Sequence, residues 1–139
     1  MKIAVFGSRH GVSRDVVVDY LRPRFDPRIT VVSGGAPGVD SFAEQGWQSL
    51  GGHVISLRPR KLENGSWAVE RWETEAGLYW IPDDLPTFED FTSAATFRDM
   101  LLAEEGERGV AFRHARSRGT GHTIDFFAAA GKPCAVHEV

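Results

Sequence analysis

The sequence of 139 residues has a single cysteine, Cys134, which lies in an apolar run near its end. One cysteine forms no intrachain disulfide, and no Cys or His spacing matches a metal-ligand pattern, so we predict neither a disulfide framework nor a metal site. We interpret Cys134 as a small buried hydrophobe. No apolar run approaches the roughly 20 residues of a membrane span, and the N-terminus lacks a signal-peptide pattern. We therefore expect a soluble cytoplasmic protein with no membrane partner.

Lysine is scarce, since 13 of the 16 basic residues are arginine. The planar guanidinium of arginine suits phosphate and carboxylate recognition, although a high-GC coding bias produces the same excess. The formal net charge of -3 argues against a protein that coats nucleic acid generally, but it is compatible with a local basic site. A Walker A lysine motif and a complete GxGxxG are also absent, which disfavours an ATPase or an ordinary NAD enzyme, and we predict no cofactor.

Apolar runs that end in small residues alternate with segments of helical periodicity along most of the chain. The length and the ordinary composition indicate one domain, residues 1–139. Strands are predicted at 2–7, 29–35, 53–57, 108–114 and 133–139, and helices after an N-cap at Ser13 and over 37–50, 92–106 and 119–132. This alternation predicts an α/β fold, a three-layer Rossmann-like sandwich of about five parallel strands with helices on both faces.

Residues 58–93 do not follow this alternation. The segment holds three of the four tryptophans, several acids and three prolines, and it shows no clean period. We predict an irregular insertion with a short helix around 67–77, packed over the sheet by its aromatic side chains.

Three predicted strands end in small-residue turns that lead into helices: GSRH (7–10), SGGAPG (33–38) and RHARSRGTG (113–121). In an open parallel sheet such ends share one edge, and the free N–H groups of helix N-termini attract anions there. The pattern predicts a site for a phosphate-bearing ligand at this edge. The candidate ligand-binding residues are Gly7, Ser8, Arg9, Ser33, Gly34, Gly35, Ala36, Gly38, Asp40, Ser117, Arg118, Gly119 and Thr120.

Several of these residues have a structural interpretation that remains open. The glycines of 33–38 also suit a tight turn with close helix–strand packing. Asp40 either holds free N–H groups in the first helical turn or binds a ribose hydroxyl or a water. The arginines of 108–118 also suit a solvated surface, and His10, His114 and His122 are more typical of structural or peripheral positions.

The segments GSR, VVSGGAPGVDSFAEQGWQSLGGHVISL and SRGTGHTIDFFAAAGKPCAV together resemble the SLOG superfamily of Rossmann-like nucleotide-ligand domains. The second segment is similar to the DNA-processing protein A family, whereas the size and the GSR start resemble small stand-alone members of the superfamily. The resemblance covers 1–57 and 94–139, and it also implies a homo-oligomer.

One branch of this superfamily, Lonely Guy, cleaves the N-glycosidic bond of nucleoside monophosphates. FRDM and the pair Gly119-Thr120 are similar to its motifs, but His122 and Thr123 stand where that branch has acids. Glycosidic cleavage needs a carboxylate near the ribose. The resemblance therefore implies Arg98, with Asp40 or Asp125 as the carboxylate, as the catalytic candidates.

The leading hypothesis is a domain that binds a nucleotide or nucleotide-derived phosphate ligand, either as a sensor or as a nucleoside-monophosphate phosphoribohydrolase. The first alternative is a module that binds single-stranded nucleic acid, which the similarity to the DNA-processing protein A family implies. The negative net charge and the lack of a lysine-rich groove disfavour it. The second alternative is an interaction domain with a vestigial pocket.

Overall fold

A computed structural model describes all residues, 1–139, as a seven-stranded sheet with helices on both faces. The strands are β1 (Lys2–Gly7), β2 (Thr30–Ser33), β3 (His53–Lys61), β4 (Trp67–Glu73), β5 (Tyr79–Trp80), β6 (Arg108–Arg113) and β7 (Cys134–Glu138). The helices are α1 (Arg14–Leu21), α2 (Val39–Ser49), α3 (Phe91–Glu105) and α4 (Arg118–Ala129), and a short 3-10 turn, Arg22–Arg24, follows α1. None of the helices is long and apolar enough to cross a membrane.

The strand order is β5-β4-β3-β2-β1-β6-β7. The five neighbouring strands β3, β2, β1, β6 and β7 pair in parallel. The chain moves outward from β1 through β2 to β3, and later returns to the other side of β1 as β6. The order of strands therefore reverses between β1 and β6, and the ends of these two strands flank the switch point at which open α/β sheets bind ligands.

Two apolar layers separate the sheet from its helices, because side chains alternate between the two faces of a strand. In β1, Ile3 and Val5 pack towards α1 and α2, while Ala4 and Phe6 pack towards α3 and α4. All four are buried, as expected for a parallel strand covered on both faces. The predicted three-layer α/β sandwich with five parallel strands is confirmed.

The segment 58–80 is antiparallel sheet, so the predicted helix around 67–77 and the irregular insertion are wrong there. β3 continues to Lys61, the chain turns at Asn64 and Gly65, and β4 returns along β3. Asn-Gly is a strong hairpin signal, and the residues of WAVERWE suit a half-buried strand. Only the stretch between β5 and α3 lacks regular structure, apart from a bridge between Trp67 and Phe88.

Two helices, α1 and α3, begin at a side chain that accepts a backbone N–H of the first turn. Ser13 caps α1 as predicted, since its Oγ accepts the N–H of Val16 at 3.4 Å. α3 begins one residue earlier than predicted, because the carboxylate of Asp90 accepts the N–H of Ser93 at 2.7 Å and so acts as the N-cap.

Cys134 is half-buried at the start of β7, where burial raises the pKa of its thiol to about 11.

Candidate nucleic-acid site

A cavity of about 220 Å³ opens at the switch point, between the carboxyl end of β1 and the N-terminus of α4. It collects side chains from both loops at this edge and from α3. The residues that line it are Phe6, Gly7, Arg9, Ala36, Asp40, Arg98, Asp99, Leu102, Ser117, Gly119, Thr120 and Thr123.

The cavity contains many, but not all, of the residues that the sequence indicates. Those that line it are Gly7, Arg9, Ala36, Asp40, Arg98, Ser117, Gly119 and Thr120, whereas Ser8, Ser33, Gly34, Gly35, Gly38, Arg118 and Asp125 lie outside its wall. Asp125 is exposed on α4, so of the two candidate carboxylates only Asp40 faces the cavity.

Asp40 joins two strand ends through its carboxylate. Its Oδ1 accepts the backbone N–H of Gly7 at 3.1 Å, and its Oδ2 accepts that of Ala36 at 3.3 Å. The side chain belongs to the first turn of α2 and is buried, with the residue 5% exposed. Burial raises the pKa of Asp40 to about 7, although the nearby guanidinium of Arg98 opposes this shift. Asp40 therefore holds free backbone N–H groups, as its structural interpretation predicts. Its pKa of about 7 also means that its charge changes near neutral pH.

Arg98 brings positive charge to the floor of the cavity from α3. It is 8% exposed, donates from Nη1 to the carbonyl oxygen of Gly34, and donates from Nε to Oδ1 of Asp99 at 2.7 Å. These partners offset the cost of burying its charge. Burial raises the pKa of Asp99, and the charge of Arg98 opposes that rise. Sequence reasoning missed Asp99, although it directly follows Arg98 in the FRDM motif.

The N-terminus of α4 forms another wall of the cavity. The first N–H groups of a helix have no acceptor within it, and here they lie beside the hydroxyls of Ser117 and Thr120, which are 3.2 Å apart. A Cβ at Gly119 would meet no atom within 4 Å, so the cavity is open at that residue. Ala115 and Arg116, just before the helix, have φ of 51° and 54°, a left-handed conformation that is costly for residues with a side chain.

The glycine-rich loop 33–38 is held by acceptors of the chain itself. The N–H of Gly35 donates to Ser33 Oγ at 3.4 Å, and that of Ala36 donates to Asp40. Gly38 has φ of 86°, and a Cβ there would lie 2.6 Å from the carbonyl oxygen of Ser8. The tight-turn interpretation thus accounts for Gly35 and Gly38, and only Ala36 of this loop lines the cavity.

Ser8 ties the two loops of the switch point together. Its Oγ accepts the N–H of His114 at 2.9 Å and donates to the carbonyl oxygen of His114 at 3.4 Å, and its own N–H donates to Phe112. The side chain is buried between the loops, which places the next residue, Arg9, exposed at the cavity mouth.

The edge around the cavity is basic although the chain has a net charge of -3. Residues 7–13 and 113–122 contain four arginines and three histidines but no acid. The four arginines, Arg9, Arg113, Arg116 and Arg118, form no ion pair, whereas six arginines elsewhere do: Arg22, Arg28, Arg58, Arg60, Arg71 and Arg98. Four of the seven arginines that form no ion pair therefore lie at the switch point, where Asp40 and Asp99 also line the cavity.

The fold and the position of the cavity define a Rossmann-like α/β domain with its site at the carboxyl edge of the sheet. Two solved structures share this fold. DNA processing protein A from Streptococcus pneumoniae matches with a TM-score of 0.71 and 17% identity over 97% of this chain and 49% of its own. DNA processing protein A from Helicobacter pylori, whose structure concerns its single-stranded DNA binding mode, matches with a TM-score of 0.66 and 17% identity over 98% of this chain and 64% of its own.

The fold of this chain is therefore similar to that of DNA processing protein A, in line with the resemblance noted in the sequence. This chain spans about half the length of the Streptococcus pneumoniae protein. No protein-family model matches the sequence, and no curated protein is significantly similar to it.

Proposed function

We propose that this chain binds single-stranded DNA, with a backbone phosphate held in the switch-point cavity. The observation that carries the proposal is the pair of acid-free loops, 7–13 and 113–122, whose four arginines form no ion pair near the N-terminus of α4. The Helicobacter pylori protein of the same fold binds single-stranded DNA, which favours this alternative over the nucleotide ligand that the sequence favours.

Three kinds of donor meet a phosphate at this position. Arg9 supplies an exposed guanidinium at the mouth, and the N–H groups at Gly119 and Thr120 supply the positive end of α4. The hydroxyls of Ser117 and Thr120 complete the set. None of these groups reads a base edge, so we expect binding that depends on the backbone and shows little sequence preference.

Fluorescence anisotropy of a labelled oligothymidine, titrated at several salt concentrations, tests the proposal. Arg9→Ala removes a phosphate contact and should weaken binding about tenfold, with a salt slope shallower by about 0.7, as for one lost contact to a single strand. Arg108→Ala is the matched control, because Arg108 is also exposed and unpaired but begins β6 at the opposite edge of the sheet. Absence of binding at low salt, or equal losses in the two variants, would overturn the proposal.

A second candidate function is hydrolysis of nucleoside monophosphates, which the carboxylates of the cavity favour. Asp40 and Asp99 both have raised pKa values beside Arg98, and both line the cavity. Asp99 lines the cavity together with Thr120 of α4, whereas Asp125 does not, and we infer that Asp99 would stabilise positive charge on a ribose whose phosphate lies at α4. Incubation with each nucleoside monophosphate should then release the free base, and Asp99→Asn should abolish the release. No free base from any of them would exclude this candidate.

A further inference from the structure

A second cavity, of about 280 Å³, lies between α2 and the antiparallel strands. Its walls come from the exposed side of α2 and from β3, β4 and β5, a part of the sheet that the switch-point cavity does not use. Sequence reasoning assigned no site to these strands.

One wall of this second cavity is aromatic. Trp72 and Tyr79 are register partners on β4 and β5, and their ring centroids are 6.3 Å apart. Trp72 is partly buried against the core cluster of α1 and α2, whereas Tyr79 is 42% exposed. The pair therefore presents a rigidly supported aromatic surface that solvent can reach, of the kind on which a planar ring stacks.

The other walls are polar and fixed in position. The buried carboxylate of Glu44 accepts hydrogen bonds from Ser56 Oγ at 3.0 Å and from Arg58 Nη2 at 3.3 Å. Glu44 thus holds the guanidinium of Arg58, which lies 5.0 Å from the centroid of the Tyr79 ring. Gln45 and Gln48 add carboxamides; the oxygen of Gln45 accepts from Arg14 Nη1 at 3.0 Å, so Gln45 offers its N–H donors. An aromatic surface beside carboxamides matches a nucleobase, which offers a π-face together with hydrogen-bonding edges.

The second cavity adjoins the switch-point cavity across the loop 33–38. A Cβ at Gly34 would lie 2.9 Å from Arg98 Nη1, and a Cβ at Gly35 would lie 2.3 Å from Arg58 Cγ. On α2, Asp40 lines the first cavity and Glu44 lines the second, four residues or about 6 Å further along the helix. A strand whose phosphate lies in the first cavity would have to pass over the loop 33–38 to bring a neighbouring base to the second, which opens on the α2 face of the sheet.

We propose that the second cavity is a nucleobase subsite, in which a base of single-stranded DNA stacks on Tyr79 and bonds to the carboxamides of Gln45 and Gln48. This subsite rests on the proposed DNA-binding function and extends it, because it adds recognition of bases to recognition of the backbone. Stacking tolerates any base, so the subsite raises affinity without imposing a strict sequence.

Two oligomers of equal length test the subsite: an oligothymidine and an abasic strand with the same sugar–phosphate backbone. Tyr79→Ala should weaken binding of the oligothymidine about tenfold and leave the abasic strand unaffected, since only the first has a base to stack. Tyr79→Phe, which keeps the ring, should retain the affinity. Phe91→Ala is the matched control, because Phe91 is 41% exposed but lies against Trp67 at the start of α3.

Failure of the subsite and failure of DNA binding give different results. If Tyr79→Ala weakens both oligomers equally, or neither, the subsite is wrong while DNA binding stands. If the unmodified chain binds neither oligomer, the proposed function fails, and the subsite is tested with thymidine alone. Thymidine should then shift the NMR signals of the Trp72 indole N–H and of the side-chain amides of Gln45 and Gln48, and unshifted signals would overturn the subsite.

Discussion

The carboxylate of Asp40 accepts the backbone N–H of Gly7 at 3.1 Å, across 33 positions of sequence. Its other oxygen accepts the N–H of Ala36, so one buried side chain joins the end of β1, the loop after β2 and the first turn of α2. Because this carboxylate has a pKa of about 7, both the stability of the fold and the charge of the cavity depend on pH near neutrality.

The free energy of unfolding of the parent protein should decrease as the pH rises from about 4 to 7, and Asp40→Asn should remove this decrease. The folded-state pKa of about 7 exceeds the ordinary value of 3.8, so between these values the folded state binds more protons than the unfolded state. The contribution of Asp40 to the free energy of unfolding is therefore greatest below about pH 4, falls as pH rises towards 7 and is constant above it. The fall amounts to at most about 4 kcal/mol, since one pKa unit corresponds to about 1.4 kcal/mol.

Urea denaturation of both proteins at several pH values between 4 and 8 measures this effect. Asp26, Asp90 and Glu105 have lowered pKa values and act in the opposite direction, but they are common to both proteins and cancel in the difference. Parallel stability curves for Asp40→Asn and the parent would show that Asp40 does not titrate near pH 7.

Affinity for single-stranded DNA should rise as the pH falls from 8 to 6. Asp40 gains a proton in this range and the cavity loses a negative charge, which we expect to strengthen phosphate binding about three- to tenfold. Asp40→Asn is the reference, because it removes this titration from the cavity. Anisotropy titrations should show a weaker pH dependence in the variant, and an unchanged dependence would show that Asp40 is not its source.

Ser8→Ala should destabilise the fold by about 1–3 kcal/mol, because it leaves the N–H of His114 without its acceptor at a partly buried position. Ser49→Ala is a suitable control, since Ser49 is exposed and bonds only to Gly46 within α2. Its effect should remain within about 0.5 kcal/mol. The denaturation midpoints of the two variants provide the comparison, and equal midpoints would argue against a linking role for Ser8.

Gly119→Val should abolish most DNA binding while the fold survives. The position is open and has no positive φ, so a Cβ there meets no atom within 4 Å, and we expect the two methyl groups of valine to cover the N-terminus of α4. We expect at least a tenfold loss of affinity, with a smaller loss for Gly119→Ala, and a change in stability below about 1 kcal/mol for either. Full affinity in a folded Gly119→Val protein would place the phosphate elsewhere.

Gly35→Ala should cost more stability than Gly65→Ala. Both glycines have positive φ, which costs about 1–2 kcal/mol for a residue with a side chain. At Gly65 nothing lies within 4 Å of the new methyl group, whereas at Gly35 it would collide with Arg58 and disturb the ion pair with Glu44. Thermal denaturation of the two variants should therefore differ, and equal losses would show that Arg58 moves aside freely.

The switch-point edge could be predicted because its signals are local. Apolar runs such as KIAVFG predict strands, and small residues at their ends predict turns. Both signals depend only on residues that are adjacent in the sequence. The antiparallel strands were missed although Asn64-Gly65 is a hairpin signal. The tryptophans of this segment show no clean period, because they lie in the sheet and one of them, Trp67, also packs on Phe91 of α3.

The sequence by itself determined the α/β alternation, the glycine turns and the arrival of Arg9, Ser117 and Gly119 at one edge. Only the tertiary structure decided which arginines are free, because Arg58 and Arg71 pair with Glu44 and Glu105, which lie far away in the sequence. It also turned Asp40 towards Gly7 and brought Trp72 and Tyr79 together beside α2. Periodicity is a property of adjacent residues, whereas burial and the pairing of charges depend on which distant residues the packed core brings into contact.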